Sequence, residues 1–122
     1  MAQAKSILIV DDDPVMREVT RVHLEGAGFT VALANGGDEG ARKAIAMAPA
    51  AVIMDLAMPD VSGEEALKRI RANPATARLP VLMLTAWTSE EHRRATVAMG
   101  TAWIEKPVRG EDLISALKQL VP

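Results

Sequence analysis

Cysteine and tyrosine are absent from this 122-residue chain, and its few aromatic residues are Phe29, Trp87 and Trp103. Without cysteine there is no disulfide, no thiolate metal site and no thiol nucleophile. With so few rings, the core has to be aliphatic and rich in alanine. Net charge is small as well: 14 Lys and Arg against 16 Asp and Glu leave a formal charge of −2. No basic run occurs, which argues against nucleic acid or an anionic membrane as the main partner. Long hydrophobic runs are also missing. The longest uncharged apolar stretch, Ala44 to Met54, is broken by Pro49 and falls well short of a bilayer span. The early run Ile7 to Val10 is too short for a signal-peptide core and leads straight into three aspartates. A cytoplasmic protein is expected.

A composition of 49% hydrophobic and 25% charged residues belongs to a globular protein. The length suits one domain with a real core, here expected over residues 1–122, and is too short for two ordinary ones.

Short apolar runs and helical patterns alternate along the chain. Ser6 to Val10 reads as a strand buried on both faces. Asp13-Pro14 then has the form of a helix N-cap followed by proline in the first turn, with Val15, Val19 and Val22 at helical spacing and Gly26 and Gly28 to end the helix. Thr30 to Ala34 is the second strand, and Asn35-Gly36-Gly37 the turn after it. Ala41, Ala44, Ile45 and Ala48 form an apolar helical stripe that Pro49 stops. Ala51 to Met54 is the third strand and ends on Asp55. Ser62-Gly63-Glu64-Glu65 is a capping-box pattern opening a helix with Ala66, Leu67 and Ile70 inside and Asn73-Pro74 at its end. Pro80 to Leu84 is a fourth strand ending on Thr85. Thr88-Ser89-Glu90-Glu91 repeats the capping pattern before a helix that Gly100 closes. Ala102 to Ile104 is a short fifth strand leading to Lys106-Pro107, and Leu113, Ile114, Leu117 and Leu120 line a last helix.

Five apolar strands alternating with five helices predict a parallel α/β fold, an open doubly wound sheet. In such sheets ligands bind outside the carboxyl ends of the strands, where strand order reverses. The groups expected at that edge are Asp11 and Asp12, Asp55, Thr85 and Lys106. Clustered carboxylates repel one another unless a cation neutralises them. With oxygen donors only, a hard ion such as Mg²⁺ is the natural one, and it leaves coordination sites for phosphoryl oxygens. A carboxylate beside such an ion is equipped to attack phosphorus and form an aspartyl phosphate. Lys106 and the Thr85 hydroxyl suit phosphoryl oxygens, and positioning with electrostatics supplies most of the catalysis in phosphoryl transfer.

Ile7-Leu8-Ile9-Val10-Asp11-Asp12, Asp55 followed by Met58-Pro59 and Gly63, Thr85-Ala86 and Lys106-Pro107 occur in this order, each at an expected strand end. Each piece alone has an ordinary reading: a capping acidic turn, a loop, a strand-end hydroxyl, a solvated lysine. Together, over about Lys5 to Leu120, they make the chain resemble the receiver domain of two-component response regulators, of the single-domain chemotaxis-regulator type. The resemblance implies a flavodoxin-like strand order 2-1-3-4-5. It implies that Asp55 accepts a phosphoryl group from a sensor histidine kinase or histidine phosphotransfer protein. Asp12, Asp55 and the Ala57 carbonyl would ligate Mg²⁺, with Asp11 assisting through water. Lys106, ahead of a cis Lys106-Pro107 bond, would form an ion pair remade around the phosphate, while Thr85 and Trp103 act as its switch. A downstream protein would read the face made by the fourth helix, fifth strand and fifth helix.

Two positions that tune phosphate lifetime in that family hold Ala57 and Trp87 here. Neither positions a water, so slow self-dephosphorylation is expected. Trp103 reads equally as rotamer switch or partner anchor; Trp87 is expected to cover the phosphate in part, and both tryptophans have a competing reading as packing or partner-anchor residues. His23 and His92 are expected on helix surfaces, and Arg93-Arg94 as a solvated pair that could line a partner face near Trp103. Two other readings compete: an aspartate-nucleophile phosphatase, which commonly needs an acid where Ala57 stands, and a constitutive pseudo-receiver, which the intact acidic set opposes.

Overall fold

The structure is a computed structural model and describes residues 5–86 and 89–121. Five parallel strands, β1 (Ser6–Val10), β2 (Thr30–Ala34), β3 (Ala51–Met54), β4 (Val81–Thr85) and β5 (Ala102–Glu105), form one sheet in the order β2-β1-β3-β4-β5. The helices are α1 (Pro14–Gly26), α2 (Gly37–Met47), α3 (Gly63–Ala72), α4 (Glu90–Ala98) and α5 (Gly110–Leu120). The expected fold and strand order are both present.

Side chains alternate across a strand, and the core divides accordingly. Leu8, Val10, Val52, Met54, Val81 and Met83 face α2 and α3, where Ala41, Ala44, Ala66, Leu67 and Ile70 meet them. Ile7, Ile9, Ile53, Leu82 and Leu84 face Leu24 of α1 and Leu113 and Leu117 of α5. Burial of one such leucine or isoleucine contributes about 1.5–3 kcal/mol. The alanines let α2 and α3 lie close to the sheet, which compensates for the missing aromatic rings. Among the described residues no helix is long and apolar enough to cross a membrane.

Local signals set most element ends. Asp13 caps α1 by accepting from the Val15 and Met16 N–H groups, with Pro14 in the first turn. Ser62 caps α3 by accepting from the Glu65 N–H at 3.2 Å. Gly100, at φ 83°, follows the end of α4 in the left-handed region.

Four expectations need correction. The Val15, Val19 and Val22 stripe does not enter the core; these residues are 68%, 44% and 56% exposed, and α1 buries Thr20 and Leu24 instead. Helix α1 carries two apolar stripes, and the sheet takes the one that ends on Leu24. Ala48 is not part of the α2 stripe but its C-cap, exposed at φ 45°. Strand β4 runs one residue later than expected and includes Thr85, and β5 extends through Glu105. The cap of α4 is Ser89, which accepts from the His92 N–H at 3.4 Å; Thr88 lies outside the described residues.

Candidate functional site

Register brings the acidic residues together. Val10 pairs with Met54 at the carboxyl ends of the neighbouring strands β1 and β3, so Asp11 and Asp55 leave the sheet side by side. The Asp55 N–H donates to the Val10 carbonyl at 3.0 Å, and the Asp11 N–H to the Ala34 carbonyl at 3.2 Å, extending the ladders one step into the site. On the other side Thr85 pairs with Glu105, and the Lys106 N–H donates to the Thr85 carbonyl at 2.9 Å. The Lys106-Pro107 peptide bond is cis. The sheet thus delivers five of the expected residues, Asp11, Asp12, Asp55, Thr85 and Lys106, to its carboxyl edge.

The Lys106 Nζ donates to Asp11 Oδ2 at 3.0 Å and to Asp55 Oδ2 at 3.2 Å, and none of the three side chains is more than 13% exposed. Asp11, Asp12 and Asp55 each offer a carboxylate oxygen within 4.8 Å of the others. Asp11 is engaged on both oxygens, since its Oδ1 also accepts from the Asp13 N–H at 3.0 Å. Asp55 Oδ1 accepts from the Ala57 N–H at 3.3 Å, and Asp12 is exposed at the rim. Thr85 is fully buried. Burial opposes the charge on Lys106, but the Asp11 hydrogen bond and the Asp55 charge outweigh it and hold the ammonium above its ordinary pKa.

Three carboxylates therefore face one ammonium. All the donors are oxygen and the cluster keeps a surplus of negative charge, so the set fits a hard divalent cation such as Mg²⁺.

Two supporting residues escape sequence reasoning. Arg17 Nη1 donates to the Asp11 carbonyl at 2.8 Å and so braces the turn that carries Asp12. Asp60, in the loop after β3, accepts from the first amides of α2. Arg17 has a faint sequence signal, a basic residue one turn into a helix that starts on an acidic cap. Asp60 has none, because its partners are more than twenty residues away.

Trp103 is half-buried on β5 and pairs in register with Met83. Its Nε1–H donates to Thr96 Oγ1 at 2.7 Å, and the buried Thr96 hydroxyl lies 2.9 Å from the His92 carbonyl within α4. The Arg93 guanidinium stands 5.8 Å from the centre of the Trp103 ring, a cation-π arrangement. Arg93 and Arg94 are both exposed, as expected, and differ in their contacts: the first lies over Trp103, while the second pairs with Glu90 at 3.5 Å. His92 Nδ1 lies 3.5 Å from Glu64 Oε1 and links α4 to α3. Trp87 lies outside the described residues.

The response regulator receiver domain profile matches residues 7–118. The chain belongs to this family. A 14.6 kDa protein in the sodA1 3′ region of Leptolyngbya boryana is 36% identical over 93% of the chain and 87% of its own length. The DNA-binding dual master transcriptional regulator RpaA of Synechocystis is 33% identical over 94% of the chain. The receiver domain spans 48% of RpaA, and about half of several other transcriptional regulators it matches. Among solved structures, a CheY-like receiver domain protein from Methanospirillum hungatei JF-1 superposes with a TM-score of 0.90 at 31% identity, covering 98% of this chain and 94% of that one. The receiver domain of a sensor histidine kinase from Pseudomonas aeruginosa PAO1, with a magnesium ion coordinated in its active-site cleft, superposes with a TM-score of 0.89. It is 28% identical, covering 97% of this chain and 98% of that one. Receiver domains are signalling phosphoacceptors of two-component systems, working between histidine kinases and downstream effectors.

Proposed function

We propose that this receiver domain takes a phosphoryl group onto Asp55 from a phosphohistidine of a histidine kinase or phosphotransfer protein. The observation that carries the reading is the Lys106 ammonium set between Asp11 and Asp55, with Asp12 beside them. One carboxylate oxygen of Asp55 attacks phosphorus as the bond to the imidazole nitrogen breaks, and the imidazole keeps that electron pair and takes a proton from solvent water. Lys106 then exchanges its contact with the Asp55 carboxylate for a phosphoryl oxygen, retaining Asp11 as its anchor. The Thr85 hydroxyl serves a second phosphoryl oxygen. Asp12, Asp55 and the Ala57 carbonyl would hold Mg²⁺, with Asp11 assisting through water; the ion supplies charge neutralisation for the incoming group.

Readout passes through β5. Thr85 and Lys106 share a backbone hydrogen bond, and Trp103 is tied to α4 through Thr96. In this reading a change at Thr85 passes along β5 to Trp103 and from its indole to α4, and the α4–β5–α5 face is the surface a downstream partner reads. In this role Trp103 is a tether between strand and helix, so it moves with α4. Ala57 is exposed and carries only a methyl group, which gives water no help and supports a long-lived phosphate.

The exposed stripe of α1 has a place in the same reading. Pro14, Val15, Val19 and Val22 line an open groove of about 520 Å³ that begins two residues beyond Asp12. Its place on the helix that directly follows Asp12 suits an apolar helix of the phosphodonor, which has to bring its histidine to Asp55. Replacing Val19 by Asp is expected to slow transfer from a phosphohistidine protein at least about tenfold, a loss of about 1.4 kcal/mol of transition-state binding. Labelling by acetyl phosphate stays unchanged, and equal slowing of both would refute the docking role.

The primary test is incubation with Mg²⁺ and acetyl phosphate, followed by intact mass. A single phosphoryl adduct is expected, persisting beyond seconds, and absent from Asp55→Ala. An adduct that survives in Asp55→Ala would remove Asp55 from its role.

A further inference from the structure

The loop that carries Asp55 and Ala57 is held at both ends. At its far end the Gly63 N–H donates to the Leu56 carbonyl at 2.9 Å. Midway, the Asp60 carboxylate reaches out of the loop to α2, where Oδ1 accepts from the Gly37 N–H at 3.2 Å and Oδ2 from the Asp38 N–H at 3.3 Å. A helix normally takes such a cap from the residue just before it. Here that residue is Gly36, which has no side chain to offer, and the cap comes from the phosphoacceptor loop instead.

The two glycines make this possible. A Cβ on Gly36 would lie 2.6 Å from Asp60 Oδ1, and a Cβ on Gly37 would lie 2.0 Å from the Val61 carbonyl oxygen. The loop therefore presses directly on the start of α2, and any side chain at Gly36 would contend with Asp60 for the same space. The Val61 N–H, and then those of Asp38 and Gly37, hold the Asp60 carboxyl below its usual pKa, which keeps it ionised as an acceptor. Between Leu56, which accepts from Gly63, and Asp60 sit Ala57, Met58 and Pro59, and the Ala57 carbonyl is a proposed metal ligand.

We infer that Asp60 is a positioning residue for the phosphoacceptor loop: by capping α2 from that loop it keeps the Ala57 carbonyl aimed at the cation site. The inference rests on the metal-site reading given above. Mg²⁺ demands near-ideal octahedral geometry at about 2.0–2.1 Å, so even slight loosening of one ligand costs affinity. Groups that orient a metal ligand commonly change affinity by about 10–100-fold when removed.

The test compares wild type, Asp60→Ala, Asp60→Asn and the double variant Gly36→Ser/Asp60→Ala, with Mg²⁺ affinity from isothermal titration calorimetry and Tm measured without metal. Asp60→Ala is expected to weaken Mg²⁺ binding about tenfold. Its acetyl phosphate labelling rate recovers toward wild type at saturating Mg²⁺. Asp60→Asn, which keeps an acceptor oxygen, should retain most of the affinity. In the double variant the introduced serine hydroxyl can cap α2 locally, since the Asp60 carboxylate no longer occupies that space. It is expected to restore Tm while Mg²⁺ binding stays weak. Recovery of both would show that Asp60 merely caps a helix and would overturn the inference, as would unchanged Mg²⁺ affinity in Asp60→Ala. A wild-type protein that binds no Mg²⁺ would overturn the metal-site reading itself, and this one with it.

Discussion

Replacing Lys106 with Met is expected to slow phosphoryl transfer from acetyl phosphate by at least about a hundredfold, the usual cost of losing one charged or hydrogen-bonding group aimed at transition-state charge. At the same time it is expected to tighten Mg²⁺ binding. The ammonium lies at 3.0 Å from Asp11 and 3.2 Å from Asp55 and neutralises part of the charge that a cation would otherwise see. Without it, three carboxylates repel one another with nothing between them, and a divalent ion gains what the lysine gave up. A gain of about tenfold is expected at the effective dielectric of a half-open site. Stability moves the other way: removing one partner from a nearly buried ion pair strands the remaining charges, at a cost of about 3–5 kcal/mol in metal-free buffer. Added Mg²⁺ recovers much of that loss by mass action. Urea titrations with and without Mg²⁺, beside adduct formation by mass, check all three effects. A variant that labels at the wild-type rate would remove Lys106 from the reaction.

The same pair sets an alkaline limit. The Lys106 pKa is raised in the folded protein, so its contribution to stability is fully present below about pH 10.4, the ordinary lysine value, and is lost as pH rises through the folded value. Metal-free wild type should lose stability over that range, and Lys106→Met should lack this component of the loss.

The sheet and its edge were legible because they depend on features that sequence carries locally. Ile7 to Val10 and Ala51 to Met54 are apolar on both faces, which marks interior strands, and each ends abruptly on a carboxylate. Parallel pairing then places those carboxylates together without any further information. The α1 stripe misleads because periodicity reports that a helix has an apolar face without reporting which face meets the core. Val15, Val19 and Val22 satisfy the spacing as well as Met16, Thr20 and Leu24 do, and only the packing of α1 beside α5 decides between them.

Long-range polar contacts were illegible for a different reason. Trp103 could be located three residues before Lys106, but its bond to Thr96 depends on how α4 lies against β5. Neither residue announces the other. Asp60 reads as one more loop acid, and its role appears only when α2 is seen to begin on a glycine with no cap of its own.

Gly63→Ala is the second large effect, and here helix propensity and packing point in opposite directions. Gly63 is the first residue of α3, where alanine gains up to about 1 kcal/mol over glycine on propensity alone. However, a Cβ at this position would lie 2.3 Å from the Asp55 carbonyl oxygen and 2.9 Å from the Leu56 Cα. Both neighbours are backbone, so no rotamer change relieves the overlap, and either α3 or the loop after β3 has to shift. Overpacking of this kind costs about 1–3 kcal/mol. The clash exceeds the propensity gain, and a net destabilisation of about 1–2 kcal/mol is expected. The larger effect falls on the chemistry: a shift of about 1 Å in a reacting group costs about a hundredfold in rate, and the residue displaced is Asp55. Gly26→Ala is the control, since a Cβ at Gly26 meets nothing within 4 Å at the end of α1. It should be neutral or slightly stabilising and leave adduct formation unchanged. If Gly63→Ala behaved like Gly26→Ala, α3 would not approach the strand end this closely, and the glycine would owe its place to something other than the Asp55 backbone.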